Sequence, residues 1–224
     1  MGGNAFKGAW ATRPVNRSEV DATVEWIETT LGLDLTDRLA GSTHKEFSSD
    51  IDVMIDFALI RKSELAYRIQ EYFKSINEPM QPQYHNGGGH QSWRVPIAGD
   101  PTNGYCQVDF MTVQDLTWSK FTLRCHTPTE YKMKHRFMVL ASLCKWANLR
   151  WKLDSGLWTR DTDRFFTRDP DWIAEVLLGP GRTREDLETV ERILSHLMDD
   201  PKRDDKLVWA KEGFTRNNIA WPIA

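Results

Sequence analysis

The chain has 224 residues, 40% hydrophobic and 27% charged, enough to bury one sizeable core or two small ones. A net charge of −3 excludes a protein that holds nucleic acid by bulk positive charge, and no apolar run approaches the ~20 residues of a membrane span. The opening MGGNAFKGAWATRPV lacks the apolar stretch of a signal peptide, and Phe6 stands where myristoylation needs Ser or Thr. Cys106, Cys125 and Cys144, odd in number and widely spaced, read as reduced core thiols, so the expected compartment is the cytoplasm.

Residues 1–17 read as irregular, after which Ser18 is placed to cap a helix through Leu31, ended by Gly32. A short helical piece over Leu35–Leu39 leads into Gly41-Ser42, and an acidic strand then runs from Asp50 to about Leu59. Ser63 opens a helix to about Ile76 with Leu65, Ile69, Tyr72 and Phe73 on one face. Residues 77–91, with two prolines and three consecutive glycines, read as a long loop or flap. Strands follow at Trp93–Ile97 and Tyr105–Met111. After residue 120 helix signals dominate: a long helix from Thr127-Pro128 to about Asn148, then Asp169–Leu178 and Arg184–Met198. The tail is expected to lie on the body through Trp209, Phe214 and Trp221. The domains expected are 1–120 and 121–224.

The chemistry concentrates in GSTHKEFSSDIDVMIDF, residues 41–57. Period-two alternation sets Asp50, Asp52 and Asp56 on one face of the strand and Ile51, Val53, Ile55 and Phe57 on the other. Carboxylates crowded on one face repel unless a cation sits between them, which points to a divalent metal site. Two-metal phosphoryl transfer needs a third carboxylate from a neighbouring strand, and Asp109, mid-strand between apolar residues, is the natural choice. Asp115 is a weaker rival beyond that strand, and Asp56 at the far end of its own strand reads as structural. Gly41 lets backbone approach a triphosphate, whose oxygens can accept from its N–H and the Ser42 hydroxyl.

Gly-Ser, a short loop, Asp-x-Asp in a strand and a later strand Asp resemble the signature of the DNA polymerase beta-like nucleotidyltransferase superfamily. Here the pattern is Gly41-Ser42, seven intervening residues, Asp50-Ile51-Asp52 and then Asp109. The GST…SxDIDV wording and Gly-rich opening also resemble nucleotidyltransferases of tailed phages, so a phage-encoded chain would act in the host cytoplasm. The match covers about residues 39–111. The resemblance implies an α+β fold, a polymerase beta palm-like mixed sheet flanked by helices, followed by a mainly helical C-terminal half. It also implies two magnesium ions, with manganese as a substitute, and transfer of a nucleoside monophosphate from an NTP, ATP or CTP foremost, with release of pyrophosphate. Carried over, Asp50 and Asp52 hold both metals, Asp109 holds the catalytic one, and Gly41 and Ser42 bind the triphosphate.

Basic residues supply further candidates. From Trp118 to Lys152 stand Lys120, Arg124, Lys132, Lys134, Arg136, Lys145, Arg150 and Lys152 against Glu130. Lys134 and Lys145, eleven apart, share a helix face and are candidates for the triphosphate, as is Lys45 in the loop after Gly-Ser. Trp118, Trp146 and Trp151 are candidates for stacking on bases or for core packing. His44, His85 and His90 lie near the flap without metal-ligand spacing. The favoured acceptor is an RNA 3′ end, tRNA in particular. A protein hydroxyl or a small molecule such as an aminoglycoside stays open, as does a DxD-type glycosyltransferase using a nucleotide sugar.

Overall fold

The computed structural model describes residues 5–42, 45–87, 90–125, 127–129, 131–153, 155–216 and 219–221, and the chain divides into two compact units, Met1–Leu116 and Thr117–Ala224. In the first, helix α1 (Arg17–Leu31) opens on a capping box: Glu19 N–H donates to Asn16 Oδ1 at 3.0 Å and Asn16 N–H to Glu19 Oε2 at 2.9 Å. The cap is therefore Asn16, not the expected Ser18, whose hydroxyl instead donates to Asn16 Oδ1 at 2.8 Å. Gly32, with φ of 60°, ends the helix as expected.

The expected helical piece at Leu35–Leu39 is absent. Five residues are too few to nucleate a helix alone, and an open strand edge offers better partners. Leu39 bridges Val53 antiparallel, Ala40 N–H donates to Asp52 O at 2.9 Å, and Met54 N–H donates to Arg38 O at 2.8 Å. That edge belongs to strand β1 (Ile51–Asp56).

After α2 (Lys62–Ser75) come β2 (Tyr84–Asn86), β3 (His90–Pro96) and β4 (Tyr105–Val113), in a mixed sheet of order β1-β4-β3-β2. β1 and β4 are parallel, while β4–β3 and β3–β2 are antiparallel. Segment 77–91, expected as a loop, therefore contains β2 and the start of β3, pairing Tyr84 with Trp93 and Asn86 with Gln91. A three-residue edge strand rich in polar side chains carries no alternating apolar signal, which is why it reads as loop. Gly88 and Gly89 lie outside the described residues.

One sheet face is apolar. Ile51, Val53 and Ile55 of β1, Trp93 and Val95 of β3, and Cys106, Val108 and Phe110 of β4 share a core with Ile27 and Leu31 of α1 and Leu65, Ile69 and Phe73 of α2. Each such fully buried aliphatic contributes about 1.5–3 kcal/mol. Phe57, expected on this face, is 52% exposed, because the strand stops at Asp56, whose Oδ1 accepts from Ala58 N–H at 2.8 Å and starts a turn.

The second unit has α3 (Leu116–Leu123) at its boundary, then α4 (Met133–Trp146), β5 (Leu149–Lys152), β6 (Gly156–Thr159) and β7 (Phe165–Thr167). α5 (Pro170–Leu178), α6 (Val190–Met198) and α7 (Arg203–Arg216) complete it. α4 starts six residues later than the Thr127 expected, since the Thr129 hydroxyl accepts from Tyr131 N–H at 3.1 Å and donates to Glu191 at 2.7 Å. The antiparallel sheet β7-β6-β5 interrupts a half expected to be mainly helical. The tail is itself a helix, α7, with Phe214 wholly buried and Trp221 edge-on to it at 5.2 Å. Among the described residues no helix is long and apolar enough to cross a membrane, and all three cysteines are buried and outside any disulfide.

Candidate metal centre

The sheet face opposite the core carries the acids. Parallel pairing sets Asp52 of β1 directly beside Asp109 of β4, and Asp50 stands one residue before β1. One carboxylate oxygen from each of the three lies within 4.8 Å of the others. Asp109 is buried, with Oδ1 accepting from the Ser92 hydroxyl at 2.6 Å and from Gln107 Nε2 at 2.9 Å. Oδ2 accepts from the same Gln107 nitrogen at 2.9 Å, while Gln107 Oε1 accepts from Ala5 N–H at 2.9 Å. Asp50 Oδ1 accepts from the Ser49 hydroxyl at 3.1 Å.

Burial, then the charges of Asp50 and Asp109, push the Asp52 carboxyl up to about 7. Three carboxylates this close cannot all ionise without a counter-charge, and a set of hard oxygen donors is what magnesium or manganese prefers. The donor set thus fits a divalent cation, with Asp50, Asp52 and Asp109 as its holders.

Gly41 passes against the same carboxylate. Its φ is 75°, and a Cβ there would sit 3.2 Å from Asp52 Oδ2, so glycine meets both a backbone and a space requirement. The side chain of Ser42 and all of Thr43 and His44 lie outside the described residues. Lys45 is half-buried in the connection between Gly41-Ser42 and β1. Asp56 serves the turn described above. His90 is exposed at the start of β3, and His85 stacks on Phe6 at 4.9 Å between ring centroids.

Lys134 and Lys145 belong to α4 of the second unit. Lys134 is exposed, whereas Lys145 lies 3.9 Å from Glu212 and over the Trp209 ring at 4.5 Å. Arg136, counted above with the basic patch, is a core residue: Nε donates to Leu187 O at 2.7 Å and Nη1 to Phe121 O at 2.8 Å, and burial lowers its pKa to about 10. Trp118 and Trp151 are buried against each other at 5.1 Å, and Lys206 lies over Trp146 at 4.6 Å, so the three tryptophans serve packing.

Ser92 was not singled out by the sequence, and Gln107 only as a residue sharing Asp109's side of its strand. The signal for Ser92 is its place between buried Gln91 and Trp93, but that puts it on the acidic face only once the Ser92–Asp109 register is known. No protein-family model matches the chain, and no curated protein matches it.

Proposed function

We propose that the chain is a divalent-metal-dependent nucleotidyltransferase of the polymerase beta-like kind, moving a nucleoside monophosphate from an NTP to an acceptor hydroxyl. The observation that carries this reading is the convergence of Asp50, Asp52 and Asp109 within 4.8 Å beside the close backbone approach of Gly41. A DxD pair alone would serve a glycosyltransferase as well; a third carboxylate in register on a parallel neighbour favours phosphoryl chemistry.

When bound, the two cations neutralise the triphosphate and lower the pKa of the attacking hydroxyl. The chain's own residues orient that event. Asp50 and Asp52 present their carboxylates side by side, and Asp109 is gripped by Ser92 and Gln107. The acceptor oxygen forms a bond to the α-phosphorus as the bond to pyrophosphate breaks, and the hydroxyl proton passes toward Asp109. Backbone N–H groups at Gly41-Ser42, with Lys45, bind triphosphate oxygens. An RNA 3′ end is the favoured acceptor and the cytoplasm the compartment.

The test is incubation with magnesium, each α-labelled NTP and a total RNA and protein extract. Label in the RNA pool with stoichiometric pyrophosphate, lost in Asp52→Asn, is the expected result. Label confined to protein or small molecules would change the acceptor. Turnover of nucleotide sugars without any pyrophosphate from NTPs would replace the reading by glycosyl transfer.

A further inference from the structure

The small sheet of the second unit has a solvent face that the nucleotidyl-transfer reading does not use. β5 alternates buried Leu149 and Trp151 with outward Arg150 and Lys152. Residues directly opposite each other in an antiparallel pair share a face, so Arg150, Trp158 and Phe165 form one row across the three strands. Lys152 lies opposite Gly156 in the next row. A Cβ at Gly156 would come within 2.6 Å of Arg168 Cγ and 3.2 Å of Phe165 Cε2, so the missing side chain is what lets Arg168 lie across the sheet beside Phe165.

The rings and cations are already arranged together. Trp158 and Phe165 meet edge to face at 5.9 Å, Lys152 Nζ sits 3.7 Å from the Trp158 centroid, and the Arg168 guanidinium 5.5 Å from that of Phe165. Phe165 is 51% exposed, so its ring is open to a ligand. Arg150 and Lys152 set two cations against one carboxylate, Asp163, at 3.2 and 3.5 Å. One exposed ring, Phe165, beside the half-buried Trp158, both flanked by cations, suits a polyanion that also presents flat bases.

We propose that the outer face of β5–β6–β7, through Arg150, Lys152, Trp158, Phe165 and Arg168, binds single-stranded nucleic acid. In nucleotidyl transfer, on which this role as acceptor grip rests, the strand carries the acceptor hydroxyl. The full-length protein, without NTP or divalent metal, is titrated into labelled strands of about 12 nucleotides, one of RNA and one of DNA, beside a blunt duplex, with anisotropy and tryptophan emission as readouts. Single strands bind more tightly than the duplex, quench the emission and lose affinity with added salt. Phe165→Ala weakens binding about tenfold, as does the pair Arg150→Ala with Lys152→Ala, with far-UV circular dichroism unchanged. The RNA and DNA arms decide which sugar the face accepts. Absence of single-strand binding by the parent protein, or unchanged affinity in both variants, overturns the proposal. A chain that releases pyrophosphate from NTP onto a small hydroxyl yet ignores both strands overturns this assignment alone, whereas strand binding at this face with no nucleotide transfer overturns only the transferase reading.

Discussion

Asp52 carries the largest electrostatic strain of the candidate site, and it makes two predictions. Its carboxyl titrates near 7 in the folded chain against an ordinary 3.8, so between about 4 and 7 the folded state holds a proton that the unfolded chain has released. Stability from this group is full at low pH and is lost as pH rises through that window. In EDTA, Asp52→Asn is therefore expected to melt above the parent protein, by a margin that widens from pH 5 to pH 8. Magnesium at pH 8 reverses the order, because only the parent keeps its full ligand set. A difference in melting temperature that stays flat with pH would contradict the raised carboxyl. The second concerns Gly41→Ala, which forces a positive φ on a residue with Cβ and crowds Asp52 Oδ2 at 3.2 Å. It is expected to cost about 1 kcal/mol by denaturant titration and to weaken manganese binding read by electron paramagnetic resonance.

At the scale of elements, the antiparallel register of β3 on β4 brings Ser92 to Asp109, and Gln107, two residues earlier on β4, adds the second donor. Ser92→Ala and Gln107→Leu each strip a donor from a buried carboxylate. Each is expected to lower metal-free stability by about 1–3 kcal/mol and to loosen manganese binding, measured by chemical denaturation and by manganese titration. Asn16→Ala removes the cap of α1 and should cost about 1 kcal/mol by denaturant titration.

The elements also show where sequence periodicity is informative. α1, α2, β1 and β4 were legible because each pairs a sustained apolar stripe with a polar face. β2, β5, β6 and β7 are three or four residues long, too short for alternation to stand out. Leu35–Leu39 had helical spacing without helical length. The edge of β1 decided its conformation instead.

At the scale of the whole molecule, the described residues build an apolar core in each unit. One is built from residues between Val15 and Phe110, the other from residues between Trp118 and Phe214. The three carboxylates and both donors to Asp109 all lie with the first. A fragment of residues 1–116 is therefore expected to melt cooperatively and to bind manganese within about threefold of the full chain, since it keeps all three candidate ligands. A fragment that is unfolded by circular dichroism, or folded without manganese affinity, would show that the metal centre depends on the second unit.

The sequence by itself determined the acidic face of β1, because period-two alternation is a property of a single strand. It likewise marked Asp109 as an anomaly, a charge amid apolar neighbours. Only the tertiary structure decided that Asp109 stands in parallel register with Asp52, that Ser92 and Gln107 hold it, and that Arg136, Trp118 and Trp151 are spent on packing. Strand pairing and burial join residues far apart in the chain, and local spacing along the chain carries no record of which distant partner each will meet.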